Sequence, residues 1–263
     1  MPRFSPTIQI MVKAAQKVAR GLARDFGELE NLQISQKSPF DFVTSSDKRA
    51  EKILCEELER ARPGYSFLTE EGQPVKGKDE DKCWIIDPID GTHNFMRGIP
   101  HFCISIALEE KGEVTHGVIY DPIKDELFYA EKGAGAFSGH QRLRVSGRKE
   151  ILGSMISASH FSRDPKLAPI RKKQFMDMFD AGAEIRKFGS AALNMAYVAS
   201  GRLDAMWDTG IHPWDVAAGY LLVKEAGGFC STLDGKNKNP VHSGEILAAN
   251  ANLLPLLVKS LQK

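Results

Sequence analysis

Between Tyr65 and Ala130 the apolar residues fall into five short runs separated by turn-forming residues, and a chain with that period cannot thread this stretch as helix. The runs are Tyr65–Thr69, Cys83–Ile86, His101–Glu109, Glu113–Tyr120 and Leu127–Ala130. Spacers of hairpin length, Lys111-Gly112 and Pro122 to Asp125, predict a largely antiparallel sheet. Two amphipathic helices precede it. The first covers residues 5–26, with Ser5 as N-cap, Pro6 at the first helical position and Ile8, Met11, Val12, Ala15, Val18, Ala19 and Leu22 on one face. The second starts around Thr44, where Thr44 and Asp47 have capping-box spacing, carries Ile53, Leu54, Leu58 and Ala61, and stops at Pro63-Gly64. From residue 153 strand and helix alternate: Met155–Ser159, a helix over 166–180, Glu184–Phe188, a helix over 190–200, Leu203–Trp207 and a helix over 214–226. The expected organisation is an α+β lobe over residues 1–150 and an α/β lobe over 151–263, without a flexible linker, repeat or low-complexity segment.

A chain of 263 residues that is 42% hydrophobic can bury roughly three quarters of its unfolded surface, so a sizeable core is available. Thirty-five Lys and Arg against 34 Asp and Glu leave a net charge of +1, and no overall field draws the protein to nucleic acid or an anionic membrane. Any anionic substrate must be handled locally. No apolar run approaches the roughly 18 residues of a membrane span. The opening Met-Pro-Arg-Phe-Ser-Pro lacks a following apolar signal core, so the expected compartment is the cytoplasm. Cys55, Cys83, Cys103 and Cys230 are widely spaced with no C-x-x-C pair, which suits reduced, buried thiols.

The most informative stretch is Trp84-Ile85-Ile86-Asp87-Pro88-Ile89-Asp90-Gly91-Thr92. Its apolar run ends in Asp87, Pro88 forces the preceding residue out of the helical region, and Gly91 supplies backbone freedom after a second acid. The strand is expected to end there in a sharp loop. Such a loop can aim Asp87, Asp90 and the Ile89 carbonyl at one point, the all-oxygen shell that Mg²⁺ prefers. The amides of Gly91 and Thr92 can receive a phosphate if they open a helix. Asp-Pro and Asp-Gly are also common turn dipeptides, and the pattern alone leaves both readings open. Glu70-Glu71 closes the strand before it as Asp87 closes its own. Asp215 and Asp47 each stand in the first turn of a helix, where an acid serves as dipole partner or as a ligand facing a cleft. Cations held by Glu70, Asp87, Asp90 and Asp215 would suit in-line phosphoryl transfer to water.

Four segments together resemble the inositol monophosphatase family: Asp41-Phe42-Val43-Thr44-Ser45-Ser46-Asp47, Phe67-Leu68-Thr69-Glu70-Glu71, Trp84 to Phe95, and Pro213-Trp214-Asp215-Val216-Ala217-Ala218-Gly219. Their order and spacing match over residues 8–252. The resemblance implies a layered αβαβα sugar-phosphatase fold, a Mg²⁺-dependent, lithium-sensitive phosphomonoesterase with two to three Mg²⁺ per site, and a homodimer. It makes Glu70, Asp87 and the Ile89 carbonyl ligands of a first metal, and Asp87, Asp90 and Asp215 ligands of a second. Glu70 reaches a third through water. Thr92, hydrogen-bonded to Asp47, orients and helps deprotonate the attacking water, and the Gly91 and Thr92 amides cradle the phosphate. Gly189, Ser190 and Ala191 match a segment that presents its backbone to sugar hydroxyls, though Ser190 also reads as a plain helix cap. Asp208 stands where many members place a glutamate that binds inositol hydroxyls, and the missing methylene puts inositol preference in question.

Other signals are weaker. Gly72 to Asp79 nearly spells a Walker A loop, but Asp79 replaces the magnesium-binding hydroxyl and Pro74 removes an amide. Gly133 to Gly139 misses the dinucleotide fingerprint by one residue and reads as a turn between strands. The seven histidines show no metal-ligand spacing, and His93 in the acidic loop is expected to face solvent. Bacterial relatives of the resembled family act with transcription and ribosome-assembly machinery. Basic clusters at Arg142/Arg144/Arg148/Lys149 and Arg171-Lys172-Lys173 would serve an RNA- or polymerase-binding factor, or are solvated faces, the helix of the second cluster packing through Phe175, Met178 and Phe179. Within the enzyme class the alternatives are fructose 1,6-bisphosphatase and removal of the 3′-phosphate of adenosine bisphosphate.

Overall fold

The structure, a computed structural model, describes residues 4–28, 34–38, 41–158 and 166–262. Helix α1 (Pro6–Gly27) starts where Ser5 Oγ accepts the Ile8 amide, at 3.3 Å. A short antiparallel pair, β1 (Ile34–Ser38) and β2 (Asp41–Thr44), leads into α2 (Ser45–Ala61). The large sheet follows: β3 (Tyr65–Thr69), β4 (Asp79–Asp90), β5 (Cys103–Glu110), β6 (Glu113–Asp121), β7 (Glu126–Glu131), β8 (Gly135–Ser138) and β9 (Gln141–Arg142), with the one-turn α3 (Thr92–Met96) between β4 and β5. Its strands lie in chain order; β3 and β4 are parallel and all later neighbours antiparallel. The remaining elements are β10 (Met155–Ser157), α4 (Ala168–Asp180), β11 (Glu184–Arg186), α5 (Ala191–Ala199), β12 (Ala205–Thr209), α6 (Pro213–Glu225), β13 (Phe229–Ser231), β14 (Glu245–Ala249) and α7 (Leu253–Leu261). They build a five-stranded mixed sheet in the order β11-β10-β12-β14-β13.

Burial follows from side-chain alternation. On β4, Trp84 and Ile86 pack with Ile8, Met11, Leu22, Leu54 and Leu58 of α1 and α2, while Ile85 between them packs on the opposite side with α5 and α6. Those two helices are apolar nearly all round, as helices enclosed between two sheets must be. Met178 of α4 and Leu253, Leu254 and Leu257 of α7 cover the outer face of the small sheet. The layers run helix, sheet, helix, sheet, helix, which is the αβαβα arrangement expected. No helix among the described residues is long and apolar enough to cross a membrane. All four cysteines are free.

Several expectations need correction. The strand at Asp87 does not end there: β4 bulges through Pro88 and Ile89 and pairs again at Asp90, because a bulge accommodates the missing proline N–H that a regular ladder cannot. Gly135–Ser138 within the glycine-rich turn is a strand paired to β7. Phe179, expected to help pack α4, is exposed; Met178 is buried and Phe175 partly so. Strand β10 stops at Ser157, and Ser159 lies outside the described residues. The Gly72–Lys78 stretch needs no correction: it leads into β4 with no helix behind it, as expected of a stretch that is not a Walker A loop.

Gly219 lets α6 approach α5. A Cβ there would lie 2.5 Å from Met195 Cβ, a contact neither backbone can relieve easily. Gly219→Ala is expected to cost about 1–3 kcal/mol, measured by denaturant unfolding.

Candidate metal and phosphate site

Three carboxylates converge above the α5/α6 side of the large sheet. Asp87 pairs with Ser105 and Asp90 with Cys103. Those partners are two residues apart and share a face, so the extra residue in the bulge brings Asp87 and Asp90 to the same face, which a regular strand would forbid at that spacing. Asp215 arrives from the first turn of α6, and one oxygen from each of the three lies within 4.8 Å of the others. Each carboxylate is anchored. Asp87 Oδ1 accepts the Ile89 amide at 2.9 Å, and Asp215 Oδ2 accepts the His212 amide at 2.7 Å. Asp90 is held at the N-terminus of α5: Oδ2 accepts Ser190 Oγ at 2.6 Å and the Ala192 amide at 2.7 Å, and Oδ1 accepts the Ala191 amide at 3.2 Å. Ser190 Oγ also accepts the Leu193 amide, so its cap reading holds alongside its contact with the acid.

Glu70 stands beside the triad because parallel pairing aligns the ends of β3 and β4; its amide donates to the Ile86 carbonyl at 3.3 Å. Burial drives the Asp87 carboxyl well above the ordinary range, and the charges of Glu70, Asp90 and Asp215 push it further. Burial also raises Asp215 well above that range, with Asp90 adding to it. Asp90 is pushed up by burial to about 6, its hydrogen bonds to Ser190, Ala192 and Ala191 opposing the rise. Buried acids that repel one another need a compensating cation, and an all-oxygen donor set fits a hard divalent one. The residues present therefore fit a magnesium-type ion.

Next to the triad, Gly91 adopts φ 104° and caps α3, a conformation that places the Thr92 amide at the helix start. Thr92 Oγ1 lies 3.1 Å from Asp47 Oδ1 and 3.0 Å from the Ile89 carbonyl oxygen. Asp47 performs two jobs with its two oxygens. Oδ2 closes the capping box of α2, accepting the Thr44 amide at 2.9 Å and the Thr44 hydroxyl, while Oδ1 receives Thr92. Burial raises its pKa, and the Thr44 and Thr92 bonds pull it back.

A cavity of about 190 Å³ opens beside Asp90 and Asp215 and is lined by Gly189, Ser190, Ala191, Asp208, Lys187 and Asn194 among others. Asp208, the penultimate residue of β12, accepts the Thr209 amide on Oδ1 at 2.8 Å. His93 is exposed. Lys187 and Asn194 line the cavity with no role read from the sequence; Asn94 lies within the Trp84–Phe95 segment, but its bonds to the His101 and Phe188 carbonyls come from tertiary packing.

This combination defines a class: a five-layer scaffold carrying a buried carboxylate cluster suited to divalent metals, next to the Gly91-capped start of α3. The chain belongs to the inositol monophosphatase family, whose model matches residues 4–263, and it is a phosphoric monoester hydrolase. It is 46% identical to an inositol-1-monophosphatase of Mesorhizobium japonicum over 98% of this chain and 97% of that one. It is also 37% identical to the Nus factor SuhB of Escherichia coli, over 98% and 96% respectively. The solved structure of the extragenic suppressor protein suhB from Bartonella henselae superposes with a TM-score of 0.94 at 43% identity, covering 98% of this chain and 99% of that one. The family is generally metal-dependent.

Proposed function

We propose that this protein is a Mg²⁺-dependent phosphatase of myo-inositol monophosphate or related polyol phosphates. The observation that carries the reading is the convergence of Asp87, Asp90 and Asp215 within 4.8 Å, beside the Thr92–Asp47 pair. Glu70, Asp87, the Ile89 carbonyl, Asp90 and Asp215 would hold two to three Mg²⁺. Bound there, the cations supply Lewis-acid activation and neutralise phosphate charge, so the cradle needs no basic side chain. Thr92 orients the attacking water and passes its proton toward Asp47, whose raised pKa makes it a better acceptor than an ordinary carboxylate. The Gly91 and Thr92 amides bind phosphate oxygens. One bond forms between water oxygen and phosphorus, the ester P–O bond breaks, the leaving alkoxide takes a proton from a second water, and Asp47 returns its proton to solvent, so that ester and water become alcohol and phosphate. Asp90, Gly189, Ser190, Ala191 and Asp208 contact the polyol.

Phosphate release by the metal-stripped protein, without and with Mg²⁺ and then with Li⁺, tests this on inositol 1-phosphate, fructose 1,6-bisphosphate and adenosine 3′,5′-bisphosphate. Mg²⁺-dependent, Li⁺-sensitive release fastest on the first is expected; no release from any of them removes the reading. We infer that the site lies between lobes 1–150 and 151–263 of a cytoplasmic homodimer, and sedimentation checks the dimer. Asp208→Glu restores the longer reach and is expected to change the ratio of kcat/KM between inositol and fructose substrates by about tenfold, with kcat on the better one nearly constant.

A second reading rests on relatives named Nus factor SuhB, the E. coli protein among them. It casts the chain as an RNA- or transcription-associated factor using its basic clusters. Lys173 is paired with Asp177 at 2.8 Å and Arg148 with Asp204 at 3.8 Å, so these cations already have local partners. Salt-dependent RNA binding would support this second role; binding absent even at low salt would remove it.

A further inference from the structure

Asn94 lies in α3, two residues beyond Thr92. Its Nδ2 donates to the His101 carbonyl oxygen at 2.7 Å and to the Phe188 carbonyl oxygen at 2.7 Å. An amide nitrogen carries two hydrogens, and here both are spent on backbone from distant stretches of chain. His101 precedes β5 of the large sheet; Phe188 immediately precedes Gly189-Ser190-Ala191 at the cavity. A hydroxyl side chain would supply one hydrogen and a carboxylate none, so among side chains of this reach only the amide serves both.

The seam around it is tight. A Cβ on Gly189, at φ 89°, would lie 3.1 Å from Asn94 Nδ2, and one on Gly91 would lie 3.3 Å from the Gly189 carbonyl oxygen. The phosphate loop and the Gly189 segment are thus backed against each other. His101 adds two ties: its ring stacks on Phe188 with centroids 4.9 Å apart, and its Nε2 lies 3.3 Å from Asn194 Oδ1.

We propose that Asn94 is a positioning residue that fixes the spacing between the phosphate loop and the 189–191 segment, and so selects substrates whose alcohol carries hydroxyls. This rests on the phosphatase reading. A substrate that must touch both sides of the seam depends on their spacing, whereas a phosphomonoester with a hydroxyl-free alcohol is held by the phosphate loop alone. The two lost bonds weaken alignment of the polyol without removing any group that touches phosphate.

The test compares wild type with Asn94→Ala on inositol 1-phosphate and p-nitrophenyl phosphate. KM for inositol 1-phosphate should rise about tenfold with kcat within about threefold, and both constants for p-nitrophenyl phosphate should stay within about twofold. Equal losses on both substrates, or an unchanged KM for the inositol ester, overturn the proposal. Hydrogen exchange separates it from the activity reading. Amides of residues 188 and 189 should exchange faster in the variant while those of 84–87, and of 191 and 192 that hold Asp90, do not change. Wild type inactive on both esters would overturn the phosphatase reading while exchange still decides the seam, and unchanged exchange at 188 and 189 would overturn the positioning role. Asn94→Ser, which keeps one donor, carries the same measurements should Asn94→Ala fail to fold.

Discussion

Asp87→Asn is expected to lower phosphate release by roughly 10³-fold or more and, at the same time, to raise the melting temperature of the metal-stripped protein. The two effects have one cause. Asp87 is buried among Glu70, Asp90 and Asp215, so its charge is costly until a cation compensates it. Asparagine keeps the shape, and its carbonyl still accepts the Ile89 amide, but the repulsion is gone and with it the ligand charge. Each kcal/mol recovered would appear as about 2–4 °C in Tm for a chain of this size. The same logic sets the pH dependence of the stripped wild type. Its acids bind protons more tightly folded than unfolded, where they titrate near 3.8. The native state therefore holds more protons above that value, and stability falls as pH rises from about 4 through about 6, the value for Asp90, with the raised Asp87 and Asp215 acting in the same direction. Saturating Mg²⁺ should flatten the profile. Asp87→Asn with full activity, or with a lower Tm when stripped, would end the metal assignment.

Thr92→Val should cost about 10²–10⁴-fold in kcat with the fold retained, since valine matches the shape of threonine and removes only the hydroxyl shared by Asp47 and Ile89. Asp47→Asn should lose a similar factor and in addition about 1 kcal/mol of stability, because Asp47 Oδ2 closes the capping box of α2. If the two groups work as one proton path, the double variant should be no slower than the slower single variant. Multiplying losses would show that they act separately, and wild-type rates in either single variant would remove the pair from the mechanism.

Asp47 also shows why local pattern left a choice open. From the sequence it reads as a capping acid or a functional one, and in the structure one oxygen closes the cap while the other accepts Thr92 Oγ1. Ser190 repeats the case, capping α5 and holding Asp90 with the same hydroxyl. The two contacts coexist in each case, because a short polar side chain at a helix start has hydrogen-bonding capacity to spare for a neighbour that only folding supplies.

Periodicity alone determined the two N-terminal helices, the hairpin-linked strands and the later alternation, since each depends on residues within a turn or two of one another. The motif spacings, carried by the family resemblance, singled out Glu70, Asp87, Asp90 and Asp215 as candidate ligands, of which the last three converge in the structure. Only the tertiary structure decided that β4 continues through a bulge past Pro88, which turns two acids three residues apart to one side. It likewise placed β13, β14 and α7, short elements whose pairing partners lie far along the chain. Asn94 belongs to the same class: its two acceptors sit 7 and 94 residues away, and no local pattern records a bond whose other end is chosen by packing.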